Sequence, residues 1–349
     1  MIIKVLAFII VFTIIVLAHE IGHFIFARLA GIRVLELGMG LGPKLFGIIK
    51  NKTKYTLNLL PIGGFVRIAG LDEKTGDPSE TFSKEESYLS KSAGQKGMAI
   101  FGGPAFNLLL AFIIYYAMFV VTGVPVDTSN QIATVSPGSV ADKVGLISGD
   151  KIIALSGRKV EKMIETVNII HKSAGKELIL SIDRAGKVFN VKVTPRYNEK
   201  MKIGLIGFSF KPVYARTNPL MALYKSLEQV VIGSALIIFT LALLIIGKIS
   251  LLDLAGPVGI AQFTGQVAGE GIIPLLSFTA FLSINLGILN LLPIPALDGG
   301  RLVFIGIEAI RKKAVDIETE NKIHQIGFAL LLAIMALVTA NDILRLIRR

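Results

Sequence analysis

Ala18-His19-Glu20-Ile21-Gly22-His23-Phe24 closes an apolar run that begins at Ile2 and is interrupted only by Lys4 and Thr13. On a helix, residues four apart share a face, so His19 and His23 can offer two imidazole nitrogens to one zinc ion with Glu20 beside it. Neutral imidazoles suit zinc, and a zinc with three protein ligands keeps a fourth place for water, whose pKa it lowers to about 7. Glu20 is then the expected general base, and afterwards the acid that protonates a leaving amine. A chance match is the competing reading. Against it, two of the four histidines of the chain (His19, His23, His171, His324) fall in this one heptapeptide. Ionisable groups at membrane depth are costly and are functional by default.

The apolar pattern continues to Arg28, and at 1.5 Å per residue Lys4 to Arg28 covers about 36 Å, enough to cross a hydrocarbon core of about 30 Å. His19 lies about 14 Å along the helix from Arg28, inside the membrane and nearer that end. A cleaved signal peptide would need a small-x-small site, which is missing, so a retained helix is expected. The 349 residues are 52% hydrophobic, with a mean hydropathy of +0.67, and the reading is an integral membrane protein. There is no cysteine, so disulfides and thiolate metal sites are excluded. The net charge of +12 is spread through loops without an aromatic-interleaved stripe, which argues for anionic lipid headgroups and against nucleic acid.

Working outward, Leu35–Gly38, Tyr55–Leu59 and Gly63–Ile68 alternate as strands do, with a polar turn at Asn51–Lys54, and predict a small hairpin sheet beside the motif. Such an edge could take an extended substrate by strand addition. Leu71–Gly97 reads as a solvated loop. A second span, 99–121, carries Gly102-Gly103-Pro104, which lets a neighbouring backbone approach, and Asn107, a polar group expected to face protein. Gly123 to about Lys211 is charged and Gly-punctuated with short strands, and a helix is expected over 160–173, with His171 as an ordinary surface residue. Val230–Ile246 is apolar enough to span, Leu254–Ile260 reads as a loop, and 272–292 is a further span. It breaks at Pro293-Ile294-Pro295-Ala296-Leu297-Asp298-Gly299-Gly300, which holds Asp298 on irregular backbone just past a membrane segment. A carboxylate there wants a cation; the alternative is a cap for a helix starting at Gly299. A charged connector (311–322) and a last span (324–346), with His324 at the interface, complete the chain.

H-E-x-x-H on the first helix, Gly-Gly-Pro-x-x-Asn on the second, a PDZ-like insertion and Asn-x-x-Pro-x-Pro-x-x-Asp-Gly late in the chain together resemble the site-2 protease family of intramembrane zinc metalloproteases. The likeness is to its bacterial PDZ-bearing branch, which cleaves anti-sigma factors in regulated intramembrane proteolysis. The resemblance implies zinc held by His19, His23 and Asp298, with Glu20 as acid/base. It implies Asn290, and less directly Asn107, as substrate-holding residues, and likens the hairpin around Gly63, Gly64 and Phe65 to the family's membrane-reentrant element. Ile132–Ala141, followed by Val144–Leu146 and Gly149–Gly157, is similar to the middle of a PDZ domain, and Gly204, Leu205, Ile206, Gly207 and Phe208 to its peptide-binding loop and strand in a circularly permuted order. About ninety residues leave room for one such domain where some relatives carry two.

The expected fold is therefore a polytopic α-helical membrane protein with about four transmembrane helices, a membrane-associated β-hairpin and one inserted α/β PDZ-like domain. Its expected parts are 1–122, 123–211, an interfacial 212–271, and 272–349. Asp298 reaches the depth of His19 only if the helix ending at Leu292 runs inward, which requires 220–247 not to cross. The expected setting is the plasma membrane, with the site near the cytoplasmic side and the PDZ-like domain outside. The expected partners are single-span membrane substrates, a PDZ ligand and lipids. A membrane-anchored PDZ binding or scaffold protein without catalysis is the alternative function.

Overall fold

An almost unbroken run of Ile, Leu, Val, Phe and Ala forms α1 (Ile2–Leu29) in the computed structural model, which describes residues 2–71, 81–160, 163–199, 202–313 and 315–347. The helix stops because Gly31 takes a left-handed φ of +70°, and the Gly31 and Ile32 amides turn back to the Arg28 and Ala27 carbonyls. Two long strands follow, β1 (Val34–Lys50) and β2 (Thr53–Ile68). They are folded double. Leu37 pairs with both Val66 and Tyr55, while Ile48 also pairs with Tyr55, so four rungs form, with 64–68 and 44–50 at the edges. Gly40 and Gly63, at φ +81° and +82°, make the bends. The sheet is thus larger than the small hairpin read from local alternation.

The expected loop 71–97 lies in part, over 72–80, outside the described residues. Its second half is ordered by short turns, and α2 (Ala93–Thr122) starts several residues before the apolar run. The Ser92 and Gln95 side chains cap each other's backbone amides there, a capping box that the apolar pattern does not reveal.

The chain divides into two compact units, 120–219 and the remainder. The inserted unit contains β3 (Val124–Val135), α3 (Val140–Lys143), β4 (Lys151–Leu155), β5 (Arg158–Lys159), α4 (Met163–Lys172), β6 (Leu178–Arg184), β7 (Lys187–Val193), β8 (Arg196–Asn198), β9 (Ile203–Leu205) and β10 (Phe208–Ala215). Residues 161 and 162 of the expected 160–173 helix lie outside the described residues. The main sheet runs β10-β3-β4-β6-β7, with Ile132, Ile152, Leu180, Ile182 and Ile206 buried on it. Because Val124 pairs with Ala215, the unit's two ends leave side by side, as an insertion requires.

The remainder continues with α5 (Pro219–Ile245), α6 (Pro257–Glu270), α7 (Ile272–Asn290), α8 (Asp298–Arg311) and α9 (Ile317–Ile347). Pro257, at a first-turn position, starts α6 inside the stretch expected to be a loop. Among the described residues five helices, α1, α2, α5, α7 and α9, are long and apolar enough to cross a membrane. Their outward Leu, Ile and Phe side chains are exposed, which fits a multi-pass membrane protein. α1 and α2 run antiparallel, since Ala30 meets Gln95 while His19 meets Asn107. α7 is antiparallel to α2, with Ser277 beside Tyr115 and Gly287 beside Pro104.

The two flanks of α5 meet the same end of this bundle. Its N-terminal flank leaves beside the C-terminus of α2, where Ala215 pairs with Val124. Beyond the other flank, the Leu252 carbonyl accepts from Asn341 and Arg345 at the C-terminus of α9. That end of α9 lies far from His324, since Asp342, a turn short of Arg345, is about 27 Å along the helix at 1.5 Å per residue.

Candidate metal centre

His19 and His23 project from one face of α1 and are buried, and Asp298 opens α8. Their Nε2, Nε2 and Oδ2 atoms lie 3.1–3.4 Å from one another. All three atoms can present lone pairs, and Asp298 Oδ2 is buried without a hydrogen-bond donor. Such a triangle is repulsive unless a cation lies among them. The spacing is close to the edge of a tetrahedron with 2.0–2.1 Å bonds, about 3.3 Å, so two imidazoles and a carboxylate fit zinc in both geometry and chemistry.

Local sequence explains how three elements converge. Gly22 and Gly102 bring α1 and α2 almost into backbone contact; a Cβ on Gly22 would lie 2.1 Å from the Gly102 carbonyl oxygen. Gly103 faces the imidazoles, and a Cβ there would lie 2.3 Å from His23 Nε2. His23 Nδ1 sits 3.0 Å from the Ala99 carbonyl, which can only accept, so Nδ1 carries the proton and Nε2 keeps its lone pair. Asp298 does not cap α8. The helix begins at Asp298 itself after Leu297, with no side-chain cap, and the carboxylate turns to the histidines.

The loop before Asp298 is held from α9. Ala296 adopts φ +85°, unusual for a residue with a side chain, and its amide donates to His324 Nδ1 at 2.9 Å. Gly327 lets the helix touch Pro295, whose carbonyl oxygen a Cβ would meet at 2.4 Å. His324 is therefore buried against the loop, not an interfacial residue as read from its place near a helix end. Nor did sequence reasoning find Lys96, which is buried and pairs with Glu308 at 2.8 Å, tying α2 to the far end of α8. A lysine ahead of an apolar run gives no such signal.

Glu20 is half-buried beside the cluster and accepts from the Val66 backbone in the 64–68 edge of the sheet. Gly64 packs on its side chain, with a Cβ position 3.4 Å from Glu20 Cγ. Gly63 makes the bend, and the Phe65 ring covers Gly38 on the neighbouring rung. Asn290, at the end of α7, places Nδ2 3.4 Å from His19 Nε2, and is half-buried. Asn107 is completely buried beside His19, with Nδ2 3.4 Å from its Nδ1. In the inserted unit, Gly204 packs on α4, Ile206 is buried, and Leu205, Gly207 and Phe208 are half-buried. The Ile206 and Gly207 carbonyls accept from Ala141 and Ser136, while β10 is an edge strand.

The sequence model described as Peptidase family M50 matches residues 7–334. Zinc metalloprotease RasP of Geobacillus kaustophilus is 36% identical over 97% of each chain. Regulator of sigma-W protease RasP of Bacillus subtilis is 34% identical over 98% of each. Zinc metalloprotease RasP of Oceanobacillus iheyensis is 32% identical over 98% of this chain and 99% of that one. Among solved structures, the PDZ domain of an SdrC-like protein from Listeria monocytogenes is 22% identical over 25% of this chain and 90% of that one, with a TM-score of 0.22.

Proposed function

The chain belongs to peptidase family M50, the site-2 proteases, and is a zinc metalloprotease; from this we propose that it cuts peptide bonds of single-span membrane proteins at His19, His23, Asp298 and Glu20. The observation that carries the reading is the 3.1–3.4 Å triangle of His19 Nε2, His23 Nε2 and Asp298 Oδ2. These three side chains would hold zinc, which when bound supplies Lewis-acid polarisation of the scissile carbonyl and an activated nucleophile at neutral pH. Glu20 takes the proton released by the attacking water on its carboxylate and returns it to the departing amine. Asn290 Nδ2, beside His19 Nε2, can donate to the developing oxyanion.

The substrate segment must be extended to be cut, since a helix satisfies its backbone internally. The 64–68 edge rung, whose Val66 backbone already contacts Glu20, is suited to hold such a segment by strand addition, with Gly63, Gly64 and Phe65 setting its shape. In the inserted PDZ-like domain, Gly204–Phe208 and the edge strand β10 form the groove that gates access, favouring substrates already trimmed outside. An anti-sigma factor is the expected class, a reading supported by the sigma-W wording of the Bacillus subtilis relative's name.

The topology we favour has four crossings, α1, α2, α7 and α9. What supports it is that Ala215, ahead of α5, pairs with Val124 just after α2, while Leu252, beyond α5, meets Asn341 at the end of α9 remote from His324. The site then lies toward the cytoplasmic side of the plasma membrane and the PDZ-like domain outside. Glu20→Gln, reconstituted with a designed single-span substrate, should lose cleavage while retaining metal. Cleavage at the native rate would remove Glu20 from the mechanism, whereas a native chain with neither zinc nor cleavage would return the protein to the membrane-anchored binding reading.

A further inference from the structure

Each zinc-bound imidazole uses one ring nitrogen for the metal, and whatever accepts from the other nitrogen fixes its tautomer and orientation. For His23 that acceptor is the Ala99 carbonyl. For His19 the neighbour at Nδ1 is the Asn107 amide, 3.4 Å away, with Nδ2 toward the ring and Oδ1 buried without a partner. Two donors would face each other in that orientation. His19 Nε2 lies 3.1 Å from His23 Nε2 and 3.2 Å from Asp298 Oδ2, so with the metal in place the imidazole proton must sit on Nδ1. Amide oxygen and nitrogen exchange places by a half-turn about one bond. That turn brings Oδ1 onto Nδ1–H and gives the orphaned oxygen its donor.

We infer that Asn107 is the positioning residue of His19, accepting through Oδ1 from Nδ1–H and holding the imidazole in the metal-binding tautomer. This rests on His19 being a metal ligand, and the complete burial of Asn107 behind that ring favours it over direct contact with substrate. The fold supplies the residue deliberately. Asn107 is one turn beyond Gly103 and so shares the face that Gly103 opens to the imidazoles. Ser283 on α7 donates to the Asn107 carbonyl at 2.7 Å, fixing that turn of α2 from its other side. A Ser or Ala at 107 would fit the space yet present no acceptor at that distance.

The test uses the full chain purified in detergent, zinc affinity by chelator competition, and the visible spectrum of the cobalt-substituted protein. Asn107→Leu keeps the side-chain volume and removes the acceptor, and should weaken zinc about 10–100-fold and shift the cobalt bands. Asn107→Asp keeps an oxygen at the same reach and should restore both toward the native values, which a purely structural role would not produce. Native affinity in Asn107→Leu, equal loss in both variants, or an Asp variant weaker than the Leu variant would overturn the assignment. His19→Ala, run alongside, should lose the metal; retention there would overturn the ligand set itself rather than the role of Asn107.

Discussion

Gly103 shows how narrowly the metal triangle is enclosed. Any side chain there would enter the space of His23 Nε2, and its neighbouring contact, 2.8 Å to His19 Cε1, leaves no other direction for relief. Gly103→Ala should therefore lose zinc and cleavage while far-ultraviolet circular dichroism stays helical; strain of about 1–3 kcal/mol is typical of such overpacking. Retained zinc in that variant would mean that α2 can move away. At this scale the sequence was readable where spacing within one helix carries the information, as with His19, Glu20 and His23. It was silent on His324 and Lys96, because their partners, Ala296 and Glu308, are brought close only by packing between helices.

Among elements, the inserted unit has its own electrostatic anchor. Asp150 is fully buried at the start of β4, receives the Ile147 amide, and is gripped by Arg184 Nε at 2.7 Å. The Arg184 guanidinium holds the Asp150 carboxyl below the usual carboxylate range. A depressed pKa gives stability that is present above the unfolded value of about 3.9 and is lost as pH falls through the lower folded value. Hydrogen exchange over 120–219 in the full chain should thus accelerate below about pH 4, and Asp150→Asn should be faster at neutral pH and flatter against pH. An unchanged pH profile in Asp150→Asn would contradict the anchor. The strands of this unit and of the β1–β2 sheet were legible from period-two alternation. Their pairing was not: alternation says which side chains share a face, whereas the double folding at Gly40 and Gly63 depends on where the backbone bends.

For the whole molecule, composition and the long apolar runs settle a multi-pass membrane protein, but hydropathy cannot separate a crossing helix from one lying oblique in a leaflet. α5 is the case in point: by length and apolarity it qualifies as a span, whereas the proposed topology, in which both of its flanks lie at one end of the bundle, leaves it uncrossed. The chain lacks cysteine, so single introduced cysteines report independently. Lys248→Cys, after α5, and Lys187→Cys, in the inserted unit, should be labelled by an impermeant thiol reagent from the same side, and Lys313→Cys from the other. Labelling of Lys248→Cys with Lys313→Cys would establish five crossings and would put α7 in the wrong direction for Asp298 to reach α1.

If α1 and the start of α8 jointly hold a zinc ion, the metal content of the purified protein reports it. Purified native chain should carry a single zinc, and Asp298→Ala should lose it or bind it far more weakly while the helices remain folded. A folded native chain that takes up no zinc, or an Asp298→Ala variant that binds it as the native chain does, would contradict the account.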